Sequence, residues 1–296
     1  MITEELIDQK CIVIQADGDA DVHIVKTAST LSAMHDVIVI GEDTDLLVLL
    51  LHYIQINEHT VIFRSDVKTK TKRIYNINGI KGALGTSVCQ QLLFIHGFSG
   101  CDSTSRIFGV GKRSIFEKLI KGDPVIKVCT EHFLKPNQPS HVIEKAGELA
   151  MVCVFGGERE QPLTQLRVET FLKKLKSAKH FITPEKLPPT PSSTKFHSLR
   201  TYYQVMTWLG KESDLDVVEW GWKNVDGKLV PSMTEIKVAP DHLLKLVHCN
   251  CTTGCRTTRC SCRRYGIPCQ DFCGPCQVSE CQNTDPIQEN DDDCDD

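Results

Sequence analysis

The distribution of cysteines restricts this chain more than any other feature of its sequence. Nine of its 15 cysteines lie between Cys249 and Cys281. Their order is Cys249-x-Cys251-x3-Cys255-x4-Cys260-x-Cys262-x6-Cys269-x3-Cys273-x2-Cys276-x4-Cys281. The residues between them are mostly Thr, Arg, Ser, Gly and Gln, so this segment cannot build an apolar core of its own. We therefore expect its folding free energy to come from bound metal.

Zinc is the metal that such a set of thiols favours, because thiolates suit it and four of them close a tetrahedral structural site. Nine ligands do not divide into sets of four. They do satisfy about three zinc ions if three of the cysteines each bridge two ions. Reactive or disulfide-bonded cysteines are the alternative. A secreted disulfide scaffold would be shorter and carry a signal peptide, and the first ten residues contain three acids and no apolar stretch.

The same residues resemble a known family. Cys249-Asn250-Cys251, then Cys260-Ser261-Cys262-Arg263-Arg264-Tyr265-Gly266, then Cys269 and Cys273 look like the CXC module of tesmin-like proteins. That resemblance implies a DNA-binding module. Four arginines could contact phosphate groups or a minor groove: Arg256, Arg259, Arg263 and Arg264. A purely structural or protein-binding module is the other interpretation.

The first part of the chain has an α/β pattern. Residues 37–40 form an unbroken β-branched run, which is typical of a buried parallel strand. Residues 21–34 have apolar side chains at helical spacing. The other predicted strands are residues 11–15, 60–64 and 73–75, and the other predicted helices are residues 46–53, 88–95, 114–120, 141–154, 163–179 and 196–209.

Five aspartates follow predicted strands or begin predicted helices: Asp19, Asp21, Asp43, Asp45 and Asp102. Functional groups collect at the carboxyl ends of parallel strands, so these acids are expected to converge on one crevice. A divalent Mg²⁺ or Mn²⁺ ion would relieve their repulsion, and such sites hydrolyse phosphodiesters. Acids at helix starts also cap backbone amides, which is the alternative interpretation.

A second resemblance concerns this region. Asp19-Ala20-Asp21, residues 37–45 and Phe98-Ser99-Gly100-Cys101-Asp102 look like the acidic motifs of flap-endonuclease-like, PIN-fold nucleases. Ile107-Phe108-Gly109-Val110-Gly111-Lys112-Arg113 is similar to their glycine hairpin. The resemblance implies that the aspartates bind Mg²⁺ or Mn²⁺. It also implies that Gly109, Gly111, Lys112 and Arg113 contact nucleic acid.

The fold implied is a PIN-like three-layer α/β domain with a central, mostly parallel sheet that lacks its first strand. The whole chain resembles a transposon-related family of animal proteins that join a PIN-like domain to one CXC module. The expected organisation is a partial PIN-like domain with a helix-hairpin segment over residues 1–125, a helical extension over 126–182, a proline-rich linker and tryptophan-containing segment over 183–248, the zinc module over 249–283, and an acidic disordered tail over 284–296.

Charge and hydropathy restrict the partners. The formal net charge is −4, and the last twelve residues contain seven acids and no base, so the remainder carries +3. A mildly basic body suits a nucleic-acid partner. The longest apolar run, residues 46–51, is far shorter than the roughly 20 residues needed to span a bilayer, so no membrane partner is expected.

These features predict a zinc-binding, DNA-associated, nuclear protein whose PIN-like domain is catalytically incomplete in this chain. The nucleases that it resembles begin with a strand carrying an essential aspartate and then an acid on a helical arch. Only ten residues precede the first predicted strand here. The chain is then expected to be a fragment, or to keep the fold without catalysis. The alternatives are a Mg²⁺- or Mn²⁺-dependent structure-specific nuclease and a structural or protein-interaction module.

Overall fold

A computed structural model describes residues 2–16, 18–67, 73–177, 184–235, 249–252, 254–264, 268–269, 273 and 281–284. The chain forms two compact units. The α/β unit comprises residues 1–169 and 188–235, and the cysteine-rich unit comprises residues 170–187 and 236–296. The predicted acidic tail, except for Thr284, lies outside the described residues. The predicted division into five segments stays a prediction.

The sheet of the α/β unit contains three strands, β1 (Val37–Ile40), β2 (Val61–Arg64) and β3 (Ile74–Asn76), in that order. β1 and β2 are parallel, whereas β2 and β3 are antiparallel. The described sheet is therefore mixed, with two of its three strands running in the same direction. A parallel return needs a long crossover, which helix α3 (Thr44–Tyr53) provides between β1 and β2, but the connection from β2 to β3 is too short for one.

The prediction of a strand at residues 11–15 is wrong. These residues have no regular secondary structure, and a short helix, α1 (Ile2–Asp8), precedes them. Ile12 and Ile14 are 93% and 63% exposed. An apolar run forms a strand only where a neighbouring strand or helix covers it, and nothing within the described residues buries this one.

Most of the remaining helices of the α/β unit match helices that the apolar periodicity predicts. They are α2 (Asp21–Leu31), α4 (Ile77–Leu84), α5 (Thr86–Ser99), α6 (Lys112–Ile120), α7 (Pro124–Leu134), α8 (Ser140–Val154), α9 (Leu163–Ser177), which continues into the second unit, and α10 (Pro191–Leu209). Sequence reasoning missed α1, α4 and α7. Helix α4 contains two glycines, which weaken its pattern, yet the Asn76 side chain caps it by accepting from Gly79 N.

The core of this unit surrounds α5. Every residue from Leu92 to Ser99 is buried, because α3, α4, α6, α7 and α10 all pack against this helix. Phe94 lies 5.1 Å from Phe98 and 4.7 Å from Phe133, measured between ring centroids. Trp208 of α10 is 1% exposed, so it packs in the core. No described helix is both long and apolar enough to cross a membrane.

A hairpin completes the α/β unit. Strands β4 (Trp222–Val225) and β5 (Lys228–Pro231) pair antiparallel across Asp226-Gly227, where both residues have positive φ. This geometry matches the two-residue turn that Asp-Gly favours. The buried Arg200 of α10 donates to the carbonyls of Gly221 and Ser232, which fixes both ends of the hairpin to the core.

A glycine-to-alanine substitution tests the packing of α8 on α10. A Cβ at Gly147 would overlap with Cβ and Oγ of the fully buried Ser198. We expect Gly147→Ala to destabilise the protein by about 1–3 kcal/mol, as overpacking does. Gly82→Ala is the control, because a Cβ there meets nothing within 4 Å and alanine favours a helix by up to about 1 kcal/mol. Chemical denaturation measures both, and equal stability of the two variants would contradict this packing.

Candidate functional site

The predicted acidic residues lie at the starts of α2 and α3 and after α5. Asp19 Oδ1 accepts from Asp21 N at 3.0 Å, and Asp43 Oδ1 accepts from Asp45 N at 2.9 Å. Asp43 is the N-cap of α3. The capping interpretation therefore holds for one oxygen of Asp43, whereas the N-cap of α2 is Ala20, which has no side-chain cap.

Four of the aspartates raise the pKa of the fifth, Asp21. The pKa of Asp21 is raised to about 6, first by burial and then by Asp19, Asp43, Asp45 and Asp102. Repulsion between like charges raises a carboxyl pKa only over short distances. The structure thus brings together the residues that the sequence singled out, and their role as metal ligands stays a prediction.

A cavity of about 470 Å³ lies beside these acids. Asp43, Asp45 and Asp102 line it, and so do two basic residues, Arg106 and Lys112. We call this cavity, together with Asp19 and Asp21, the acidic cleft. The cleft therefore presents carboxylates and cationic groups to the same space.

The glycine hairpin contributes unequally to this cleft. Gly111 and Lys112 line it, whereas Gly109 and Arg113 are not among its lining residues. Arg113 Nε instead donates to Glu117 Oε1 at 2.8 Å on the exposed face of α6. The turn before the hairpin requires Gly100, because it has φ of 111° and a Cβ there would lie 2.8 Å from Arg106 Cα.

The sequence analysis did not single out His96 as a site residue. This residue is 4% exposed, and its Nε2 lies 2.5 Å from Asp45 Oδ1. Its Nδ1 lies 2.9 Å from Lys112 Nζ. The missed signal is long-range: His96 and Lys112 fall either side of Gly100 and Asp102, and only folding brings Asp45 to the same ring.

The cysteine-rich unit contains buried thiol clusters that could hold zinc. Two groups of four have all their sulfur atoms within 4.8 Å of one another. The first comprises Cys249, Cys262, Cys269 and Cys273, and the second comprises Cys249, Cys255, Cys260 and Cys269. Cys249 and Cys269 belong to both groups. Shared thiols are the arrangement expected if cysteines bridge two metal ions.

The spacing of the sulfur atoms fits a tetrahedral zinc site. Cys249 Sγ lies 3.7 Å from Cys255 Sγ and 3.8 Å from Cys269 Sγ, and Cys262 Sγ lies 3.6 Å from Cys273 Sγ. Zinc–sulfur bonds of about 2.3 Å in a tetrahedron place sulfurs roughly 3.8 Å apart. A disulfide would need an S–S distance of about 2.05 Å, far shorter than these separations. The disulfide alternative is therefore wrong for these residues.

The ionisation of these thiols depends on their neighbours. Burial opposes ionisation of Cys260, but the Arg263 N–H and the thiols of Cys249, Cys255 and Cys269 lower its pKa to about 7. Burial raises the pKa of Cys255 and Cys269. A metal ion would reverse that effect, because a coordinating thiol is deprotonated.

Three predicted cysteine ligands do not belong to either group of four thiols. Cys251 is half-buried against the cluster, and Cys281 is buried within it. Cys276 lies outside the described residues. Outside the two thiol groups, the described residues contain no set of three or more His, Cys, Asp or Glu ligand atoms that all lie within 4.8 Å of one another.

The four arginines of this unit differ in their roles. Arg263 donates from Nε to Cys255 O at 2.7 Å and from a terminal nitrogen to Gln282 O at 2.5 Å, so its guanidinium joins two loops. Arg264, at the end of α11 (Ser261–Arg264), donates to Thr258 O at 2.9 Å and remains exposed. Arg256 and Arg259 are exposed. Of these four arginines, Arg256, Arg259 and Arg264 therefore present a guanidinium that is largely open to solvent.

Comparisons with protein-family models, with curated proteins and with solved structures found no match to this chain.

The shared thiols make a test of metal content. The purified protein is expected to hold about three zinc ions. Cys249→Ser should lose zinc from both thiol groups, whereas Cys262→Ser should lose it from one, because Cys262 belongs to one group only. Cys11→Ser, at an exposed cysteine of the other unit, should leave the zinc content unchanged. Elemental analysis measures these contents, and wild-type protein with no zinc and freely titrating thiols would contradict the assignment.

The raised pKa of Asp21 predicts a pH dependence of stability. The folded state binds this proton more tightly than the unfolded state, whose pKa is 3.8. Stability should therefore fall as pH rises from about 4 to about 6. Asp21→Asn removes this loss, so its melting temperature should exceed that of wild type more at pH 7 than at pH 4. Asp8→Asn, on α1, should show no such difference, and a pH-independent effect of Asp21→Asn would contradict the repulsion.

Proposed function

We propose that this chain is a nucleic-acid-associated protein that combines a PIN-like cleft with a zinc-stabilised CXC module. In the acidic cleft, aspartates would hold Mg²⁺ or Mn²⁺ beside a phosphate group. The observation that carries this proposal is the one cavity that Asp43, Asp45 and Asp102 line together. The raised pKa of Asp21, to which Asp19 and these three aspartates contribute, agrees with it. Carboxylates that repel one another are stabilised by a divalent cation between them.

The donor set fits this class of ion. The cleft offers carboxylate oxygens, which are the ligands that Mg²⁺ and Mn²⁺ prefer. Cys101 is the one cysteine among its described lining residues, and both groups of four thiols lie in the other unit. No three described carboxylate oxygens come within 4.8 Å of one another. Mg²⁺ usually keeps several waters and uses only one or two carboxylates, so an open cleft suits it.

The opposite charges in the cleft support phosphate as the second ligand. Arg106 and Lys112 line the cavity that Asp43, Asp45 and Asp102 also line. Lys112 is the first residue of α6, and Gly111 precedes it as the N-cap. Backbone N–H groups at a helix start favour an anion. The PIN-like resemblance of residues 37–45, 98–102 and 107–113 makes nucleic acid the proposed source of that phosphate.

The zinc module is proposed to contribute phosphate contacts of its own. Arg256, Arg259 and Arg264 would contact the DNA backbone, and Arg263 would hold the fold of the module. About three zinc ions would be bound by Cys249, Cys251, Cys255, Cys260, Cys262, Cys269, Cys273, Cys276 and Cys281. Binding DNA in this way makes the nucleus the proposed compartment.

We infer that the cleft binds nucleic acid without cleaving it in this chain. Hydrolysis by two metals requires ions roughly 4 Å apart, held by shared ligands. Among the described residues, no three acids have carboxylate oxygens within 4.8 Å of one another, so no compact set of shared ligands is formed. A Mg²⁺- or Mn²⁺-dependent nuclease is the second candidate, and the observation that favours it is that acids and Lys112 line one cavity.

Binding and cleavage can be tested with the full chain and a short DNA oligonucleotide. We expect binding in Mn²⁺ that weakens steeply between low and physiological salt, because phosphate contacts release counterions. Asp43→Asn should weaken the Mn²⁺-dependent part of this binding, and Glu131→Gln, at an exposed position of α7 outside the cleft, should not. No cleavage is expected.

Two outcomes would change this assignment. Mn²⁺-dependent cleavage that Asp43→Asn abolishes would make the protein a nuclease. Absence of DNA binding at low salt, with zinc fully bound, would favour the structural or protein-interaction module.

A further inference from the structure

His96 connects the two kinds of charge in the acidic cleft. It lies in the last turns of α5 and is 4% exposed, with its ring 5.6 Å from the ring of Trp208. Its Nε2 lies 2.5 Å from Asp45 Oδ1, and its Nδ1 lies 2.9 Å from Lys112 Nζ. Both partners line the cavity. One buried imidazole ring therefore hydrogen-bonds to both a carboxylate and an ammonium group of the same cleft.

The two partners determine which ring nitrogen carries hydrogen. A lysine ammonium can only donate, so Nδ1 of His96 must accept the hydrogen bond from Lys112. The proton of the neutral ring is then on Nε2, which donates to Asp45 Oδ1. This arrangement uses one oxygen of Asp45 and leaves the Oδ2 atom outside the bond.

We propose that His96 is a positioning residue that holds a cation-binding carboxylate and a phosphate-binding ammonium side by side. The acidic cleft would then take a divalent cation at Asp45 Oδ2 and an oxygen of a phosphodiester at Lys112 Nζ. This inference rests on the proposed function, and it adds the residue that fixes the relative places of the two ligands.

The bond to His96 explains how an exposed lysine can be a specific ligand. A lysine side chain in solvent samples many rotamers, and binding must then order it at a cost in conformational entropy. The bond from Nζ to Nδ1 selects one arrangement before any ligand binds. One of the three ammonium hydrogens is used, so two can be donated to a phosphate oxygen at the start of α6.

Asp45 is constrained from two directions. Its carboxylate accepts from His96, and its backbone N–H donates to Asp43 Oδ1. Neighbours that hydrogen-bond a metal ligand typically change metal affinity by about 10–100-fold when they are removed. The same order of effect is expected for the arm of His96 that contacts Asp45.

Two substitutions separate the arms of His96. The amide nitrogen of glutamine reaches the position of Nε2, so His96→Gln keeps a donor to Asp45 and loses the acceptor for Lys112. Asparagine reaches only the position of Nδ1, so His96→Asn keeps a partner for Lys112 and loses the donor to Asp45. Lys112→Met removes the ammonium and keeps the aliphatic stem. His52→Gln, in α3 and bonded to Gln90 O, is the control outside the cleft.

Two measurements on the full chain report the two ligands. Mn²⁺ affinity is measured by electron paramagnetic resonance titration. With protein in excess over Mn²⁺, the paramagnetic relaxation of phosphorus in a dinucleoside monophosphate then reports a phosphodiester beside the bound ion. Melting temperatures show whether each variant is folded.

We expect the substitutions to affect the Mn²⁺ affinity and the phosphorus relaxation differently. His96→Asn should weaken Mn²⁺ binding by about tenfold or more. His96→Gln and Lys112→Met should keep Mn²⁺ affinity close to that of wild type and lose most of the phosphorus relaxation. His52→Gln should change neither measurement.

Other outcomes would overturn the inference. If both His96 variants lower the two measurements in parallel with the melting temperature, or change neither, His96 has no positioning role. If wild type binds Mn²⁺ through Asp43 but shows no phosphorus relaxation, the cation site is correct and the phosphodiester site beside it at Lys112 is wrong. If Asp43→Asn leaves Mn²⁺ binding unchanged, the proposed cation site itself is wrong, and this inference falls with it.

Discussion

The burial of the second half of helix α5, Leu92–Ser99, is the constraint on which the α/β unit depends. Because this half of the helix has no face in water, its polar groups must find partners within the protein. His197 Nε2 donates to Phe98 O at 2.8 Å, Thr104 Oγ1 donates to Gly97 O at 2.6 Å, and His96 bonds to Asp45 and Lys112. These bonds fix the carboxyl end of α5. That end carries the segment with Asp102, so the packing of the core also fixes the acidic cleft.

The cleft itself opposes folding. Asp21 ionises only at a raised pKa, because four other aspartates act on it in a partly buried position. A chain selected for stability alone would not gather five carboxylates at one place. Perturbed groups of this kind occur where a protein binds or transforms a ligand. Lys112, which bonds to His96, adds a positive charge to the lining of the same cleft.

The two units are stabilised by different physical terms. The α/β unit buries aromatic and aliphatic side chains around α5, such as Phe94, Phe133 and Trp208. In the cysteine-rich unit the described buried side chains are thiols, which offer little apolar area and many metal-binding atoms. Arg263 adds a second kind of support there, because its guanidinium bonds to the carbonyls of Cys255 and Gln282. Its charge is thereby used within the module, although its place in the sequence indicated a contact with phosphate.

The sequence by itself determined the local features: the thiol spacing, the helices with strong apolar periodicity, and the aspartates at helix starts. Each of these depends on residues that are close along the chain. Only the tertiary structure decided the direction of β3, the exposure of residues 11–15, and the role of His96, which meets Asp45 across 51 positions of sequence. Periodicity carries no information about such distant pairs, since the free energy that selects them comes from packing and from burying polar groups with partners.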